Sequence, residues 1–278
     1  MIQLKSGRVV PCGKCPACLA NQRQEWVFRL KQEFLNSVFS IFVTLTYDDE
    51  HIPKDLSVNK NDIQKFHKRL RKHFPSGDLR YYLVSEYGDH TQRPHYHGLY
   101  FFKSNYDKQK VYDIFLESWS NGFIKFGDVE EGSIVYCTKY CLKHSSTPPN
   151  RKETFRLMSK MQGGLGSLYL EKMSDFHKET KQFEFAFADG QRCRMPKYYK
   201  DKLSKGFRLT HPQFFIDKQE EHAESVRSAH LQRFWDFLKV HRGLSYEEAV
   251  SQFNAHELQR SKNRDDLVIK HVKKENKF

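Results

Sequence analysis

The sequence has little with which to cross a membrane or to staple itself together. No apolar run approaches the roughly 20 residues that span a bilayer. The longest, Val38 to Leu45, is short and β-branched and reads as a buried strand. The opening MIQLKSGRVV lacks the apolar stretch of a secretion signal. Six cysteines in 278 residues do not make a secreted disulfide scaffold. No GxxxxGK[ST] phosphate loop occurs, so the chain is not a P-loop helicase. Internal repeats and low-complexity segments are also missing. These absences point to a cytosolic protein with no membrane partner.

Acidic residues are the scarcer charge: 34 Asp and Glu stand against 47 Lys and Arg, a net charge of +13. So basic a balance favours a polyanionic partner. The basic residues are interleaved with aromatics, 14% of the chain, which stack on unpaired bases. Single-stranded nucleic acid therefore leads, with a basic surface kept only for solubility as the plainer alternative. The length fits one large domain, or a core domain with a smaller appendage.

Periodicity gives the element order. Gln22 to Leu35 is predicted helical, with Trp26, Leu30 and Phe34 at four-residue steps. Phe39 to Tyr47 is a strand. Asn61 is the predicted cap of a helix striped by Ile63, Phe66 and Leu70. Arg80–Tyr87 and Pro94–Phe102 are strands joined by the turn Gly88–Gln92. Asp107 caps a helix with Val111, Ile114, Phe115 and Trp119 on one face. A strand Phe123–Val129 follows, and then a helix opening at Gly132 or Ser133 and running to about His144. Strands joined by a hairpin and by crossing helices imply an α+β fold with a central, mainly antiparallel sheet flanked by helices. A turn at 163–166 and a helix from Ser167 come next. Phe183–Ala188 and Gln191–Met195, joined by Asp189-Gly190, form a hairpin. From about Gln213 the chain is polar, helical and basic at its end.

Two clusters carry chemistry. His95 and His97 alternate along a strand, so both point to one face. Tyr82, Val84 and Glu86 share a face of the preceding strand, and the hairpin sets Glu86 opposite the histidines. Two imidazoles and a carboxylate leave coordination positions open on a divalent ion, Mn²⁺ or Mg²⁺, which acts as a Lewis acid on phosphate. Two packed or solvated histidines are the plainer reading of the pair alone.

Tyr136 and Tyr140 are four residues apart and share a helical face. At pH 7 only about one phenol in a thousand is ionised, a deficit of roughly 4 kcal/mol, so a nucleophilic tyrosine needs a cation or an activated phosphate. Lys143 is the first choice for that cation, with Lys139 the second. Two core tyrosines on an amphipathic helix are the common fate of such a pair. Cys12-x-x-Cys15-x-x-Cys18 forms part of a structural zinc knuckle that would need a fourth ligand, or else three reduced, unbound thiols.

These residues resemble the HUH endonuclease superfamily, and within it the rolling-circle replication initiators of microviruses, notably the gokushovirus branch. Phe42-Val-Thr-Leu-Thr-Tyr47 is similar to the first strand motif. Ser85-Glu86-Tyr87-Gly88 with Arg93-Pro94-His95-Tyr96-His97-Gly98 is similar to the metal motif. Tyr136-x-x-Lys139-Tyr140-x-x-Lys143 is similar to the two-tyrosine motif. Pro11-Cys12-Gly13-Lys14-Cys15 and Met195-Pro196-Lys197-Tyr198-Tyr199 add weaker likeness, over roughly residues 10–205. Tyr96, polar at its tip, departs from the motif's apolar residue and is expected to face away from the metal.

The resemblance implies an RRM- or ferredoxin-like HUH endonuclease domain over 1–205 and a helical basic extension over 206–278. It implies nicking of single-stranded origin DNA in the host bacterial cytoplasm, through a 5′-phosphotyrosine. Unwinding and synthesis would then fall to a host helicase and DNA polymerase. A transposase or plasmid relaxase shares the chemistry. A non-catalytic nucleic-acid-binding protein is the alternative of another class. The C-terminal helices are read as a contact for duplex DNA, a host helicase or another subunit.

Overall fold

Strand alternation, rather than any single motif, builds the platform. The computed structural model describes residues 2–3, 9–139, 147–188 and 191–275. Along the chain lie β1 (Ile2–Gln3), β2 (Val9–Val10), α1 (Pro16–Leu35), β3 (Phe39–Tyr47), α2 (Lys60–Leu70), β4 (Leu79–Tyr87), β5 (Pro94–Phe102) and α3 (Lys108–Ser118). There follow β6 (Gly122–Gly127), α4 (Glu131–Thr138), β7 (Arg156–Met158), α5 (Leu168–Thr180), β8 (Phe185–Ala188), β9 (Gln191–Arg194), α6 (Lys197–Thr210), α7 (Pro212–Val240) and α8 (Tyr246–Glu275). The chain divides into two compact units, Leu19–Ser174 and Met1–Cys18 with Asp175–Lys277.

In the unit Leu19–Ser174, five strands pair antiparallel in the order β6-β3-β5-β4-β7. Helices flank this sheet, as the sequence pattern implies. One face carries Ile41, Val43, Leu45 and Tyr47 of β3 with Leu83, Tyr96, Tyr100 and Phe102. They pack on Ile63, Phe66 and Leu70 of α2 and on Val111 and Phe115 of α3. The opposite face carries Tyr82, Val84, Leu99 and Phe101, under Leu30 of α1 and Ile134 and Cys137 of α4. The central strands are thus buried on both sides. A buried ion pair, Arg80 Nε to Glu33 Oε1 at 2.8 Å, ties β4 to α1. Glu33 also accepts the Gly166 N–H at 2.6 Å. Burial raises the Glu33 carboxyl, and the facing Arg80 opposes that shift.

Several boundaries differ from the sequence reading, for local reasons. Helix α1 begins at Pro16 rather than Gln22, because proline suits a first helical turn, where its missing N–H is not needed. Asn59, not Asn61, caps α2: its extended backbone lets its side chain accept the Asn61 N–H at 3.0 Å. Tyr96 Oη on β5 fixes that position by accepting the Asn59 N–H at 2.7 Å. Helix α4 opens at Glu131, with Ser133 Oγ accepting the Glu130 N–H at 2.8 Å. Gly122, at φ +143°, is required where β6 meets β3, since a Cβ there would lie 2.4 Å from the Asp48 nitrogen. Strand β7 and helix α6 were not anticipated.

In the other unit, β1 pairs with β2 and β8 with β9, both antiparallel. The predicted Asp189-Gly190 turn falls outside the described residues, but Ala188 and Gln191 pair as such a turn requires. Helices α7 and α8 meet through Phe234 and Phe237 against Phe253. Arg233 and Glu257 add an ion pair at 3.0 Å. Among the described residues no helix is long and apolar enough to cross a membrane.

Beneath the sheet, His67 of α2 stacks on Tyr81 at 3.7 Å and shares a 3.1 Å hydrogen bond with Tyr100 Oη. Burial first, and Arg71 second, lower its pKa to about 3. The unfolded chain takes up this proton near pH 6.5, and the folded chain only near 3. His67 therefore costs stability as pH falls through that window, at up to about 1.4 kcal/mol per pH unit. Urea melts from pH 6.5 to 4 should show a shallower stability loss for His67→Gln than for wild type. Equal slopes would mean that the imidazole is charged when folded.

Candidate active site

The strand register assembles the site. Glu86 of β4 pairs with His95 of β5, and Val84 with His97. On the other side Thr46 of β3 pairs with His95, and Thr44 with His97. Directly paired residues of an antiparallel sheet share a face, so the carboxylate, both imidazoles and both threonines project together. Tyr96 projects the opposite way, as expected. Its Oη lies 2.9 Å from Tyr47 Oη, which in turn donates to Asp62 at 2.9 Å.

Both imidazoles turn Nε2 toward one carboxylate oxygen. Glu86 Oε2 lies 3.3 Å from His95 Nε2 and 3.1 Å from His97 Nε2. The three donor atoms lie within 4.8 Å of one another. Each ring is steered from behind: His95 Nδ1 lies 3.1 Å from the Arg93 carbonyl, and His97 Nδ1 lies 3.1 Å from Thr44 Oγ1. With the proton on Nδ1, each Nε2 lone pair faces inward, the arrangement a metal-binding histidine needs. Burial lowers the pKa of His97 and so favours its neutral, ligating form. Phe42 lies parallel to the same ring at 5.9 Å. Two nitrogen donors and one oxygen donor, with both rings held from behind, fit a divalent cation such as Mn²⁺ or Mg²⁺.

Helix α4 brings the phenol. Ile134 and Cys137 anchor its buried side in the core, and Tyr136 projects over the sheet. Tyr136 Oη donates to Glu86 Oε2 at 2.9 Å and lies 3.2 Å from His97 Nε2. Lys139 Nζ sits 3.7 Å from the centre of the Tyr136 ring and 3.9 Å from Glu86 Oε1. Glu86, His95, His97, Tyr136 and Lys139 are thereby brought together. Tyr140 and Lys143 lie outside the described residues, as does the end of the predicted helix near His144.

Sequence reading missed Thr44 and Phe42 as supports of His97. The signal was the alternation of β3, which places Phe42, Thr44 and Thr46 on the face away from Val43 and Leu45. The same register extends the site to the sheet edge. Thr46 also pairs with Phe123, and Thr44 with Lys125, so these two β6 residues share the histidine face. Phe123 is 68% exposed there, and Lys125 is exposed beside it.

Thr44 gives a direct test of the metal fit. Thr44→Val removes the partner of His97 Nδ1 while keeping the side-chain shape. Calorimetric titration should show Mn²⁺ binding weakened by about 10- to 100-fold. Unchanged affinity would mean that Thr44 does not orient the ring.

An antiparallel sheet presenting two imidazoles and a carboxylate to a helix-borne phenol matches a known class. Residues 40–145, from β3 into and past α4, match the family model of the replication-associated protein ORF2. Over 272 residues the chain is 29% identical to replication-associated protein VP4 of Bdellovibrio phage phiMH2K, covering 87% of this chain and 84% of that one. It is 28% identical to replication-associated protein ORF2 of Spiroplasma virus 4, covering 78% and 73%. It is 23% identical to replication-associated protein ORF4 of Chlamydia phage 1, covering 70% and 54%. The resemblance to phage replication proteins drawn from the motifs is borne out.

Proposed function

We propose that this protein is a metal-dependent nickase and strand transferase that initiates rolling-circle replication on single-stranded origin DNA. The observation that carries the reading is the contact of Tyr136 Oη with Glu86 Oε2 at 2.9 Å and with His97 Nε2 at 3.2 Å. A phenol that touches two of three candidate metal ligands is within reach of any phosphate drawn to that ion. The names of the phage relatives support the replication role.

A divalent ion held by Glu86, His95 and His97 would supply Lewis acidity to the scissile phosphate. The Tyr136 oxygen bonds to phosphorus as the bond from phosphorus to the 3′-oxygen breaks. The phenol gives up its proton, and the departing oxygen gains one to become a 3′-hydroxyl. The product is a 5′-phosphotyrosine that stores the bond energy, so religation needs no ATP. Lys139, over the Tyr136 ring, stabilises negative charge on the phenol and phosphate. Tyr140 would make the second cut while Tyr136 holds the first strand, with Lys143 as a further cation on that helical face. Phe123 and Lys125 offer a stacking ring and a phosphate contact to unpaired DNA at the sheet edge. Unwinding and synthesis fall to a host helicase and polymerase.

The test is incubation with Mn²⁺ and single-stranded DNA containing the protein's own origin. A protein–DNA adduct that survives SDS should form, with a free 3′-hydroxyl on the other fragment. Binding without cleavage, unaffected by chelator, would overturn the reading and favour a non-catalytic DNA-binding protein.

A further inference from the structure

The turn that precedes α1 gathers three sulfurs that the nicking chemistry does not use. The Sγ atoms of Cys12, Cys15 and Cys18 all lie within 4.8 Å of one another. Cys12 and Cys18 are 3.9 Å apart, and all three cysteines are free of disulfides. We propose that Cys12, Cys15 and Cys18 bind one zinc ion through three thiolates, with water as the fourth ligand.

The spacing selects a single ion. With a zinc–sulfur bond of about 2.3 Å, the edge of a tetrahedral site is about 3.8 Å. The 3.9 Å separation of Cys12 and Cys18 matches that edge. An iron–sulfur cluster binds each cysteine to a different iron and so holds the sulfurs farther apart. The soft donor set disfavours Mg²⁺ and Mn²⁺, the ions suited to the mixed nitrogen and oxygen site.

The backbone is shaped for this convergence. Gly13 takes φ +74°, which folds the chain back so that the Cys15 N–H donates to Cys12 Sγ at 3.3 Å. A Cβ at Gly13 would meet no atom, so the glycine serves the backbone conformation and not the space around it. Helix α1 starts immediately after Cys15 and carries Cys18 in its first turn. Amide donors and a helix N-terminus both favour thiolate over thiol. Each thiol that enters as thiolate releases one proton. Three thiolates on Zn²⁺ leave a single negative charge beside Lys14. Among the described residues no fourth thiol, imidazole or carboxylate joins the group, which leaves the last position to solvent.

The full-length protein, loaded with Co²⁺ in place of zinc, should show intense sulfur-to-cobalt charge-transfer absorption in the near ultraviolet. That band should persist in His95→Ala/His97→Ala, whose lost site has no sulfur, and vanish in Cys15→Ser/Cys18→Ser. In wild-type protein, zinc should slow alkylation of the three thiols, mapped by peptide mass, by at least about tenfold, and chelator should reverse it. This second readout decides the matter even if the cysteine variants fail to fold. Absence of the band from wild type, or alkylation at one rate with and without zinc, overturns the assignment. Neither readout involves DNA, so the result stands apart from that of the nicking test.

Discussion

Replacing both Tyr136 and Tyr140 with phenylalanine should abolish the covalent protein–DNA product. The rings and their packing remain, including the edge-on contact of Tyr136 with His97 at 4.9 Å. Only the oxygens that can bond to phosphorus are removed. Loss of a covalent nucleophile lowers turnover on the order of a thousandfold or more, and water is a poor substitute. Each single variant should retain adduct at a reduced level, because the two phenols share a helical face. DNA affinity, read by fluorescence anisotropy, should stay within a few-fold of wild type, since phosphate contacts dominate it. An adduct that survives the double substitution would show that another side chain attacks.

His97→Ala should be nearly as severe, by a different route. It removes one nitrogen donor and one contact of the Tyr136 hydroxyl, while Glu86 remains only 5% exposed. Mn²⁺ affinity should fall by more than about 100-fold, beyond the loss expected for Thr44→Val, because a ligand and not its support is removed. Cleavage should fall with it, and raising Mn²⁺ should restore little. Thr44→Val, in contrast, should recover turnover at saturating Mn²⁺. A His97→Ala protein that binds Mn²⁺ normally would remove the ion from the Glu86–His95–His97 cluster. The melting temperature is the control, since the ring also packs against Phe42.

Short-range periodicity made much of this site legible. The two-residue repeat of β4 and β5 places Glu86 and His97 on a common face, and the short turn between them makes their register almost obligatory. The four-residue repeat of α4 places Tyr136 outward once Ile134 and Cys137 are taken as core. Strand β7 was not legible, because three residues carry no alternation to read and its position rests on pairing with β4. The Asn59 cap was missed for a similar reason: it depends on Tyr96, a residue distant in sequence.

The order of strands and helices, the shared face of the histidines and the pairing of an acidic with an imidazole strand were all determined by sequence alone. Each follows from fixed backbone periods acting over a few residues. The tertiary structure decided how close α4 comes to β5, that Thr44 holds His97, and that Lys139 stands over the Tyr136 ring. Those distances arise when a helix settles on a sheet through Ile134, Cys137, Val84 and Leu99. Packing between elements remote in the chain has no local period from which it can be read.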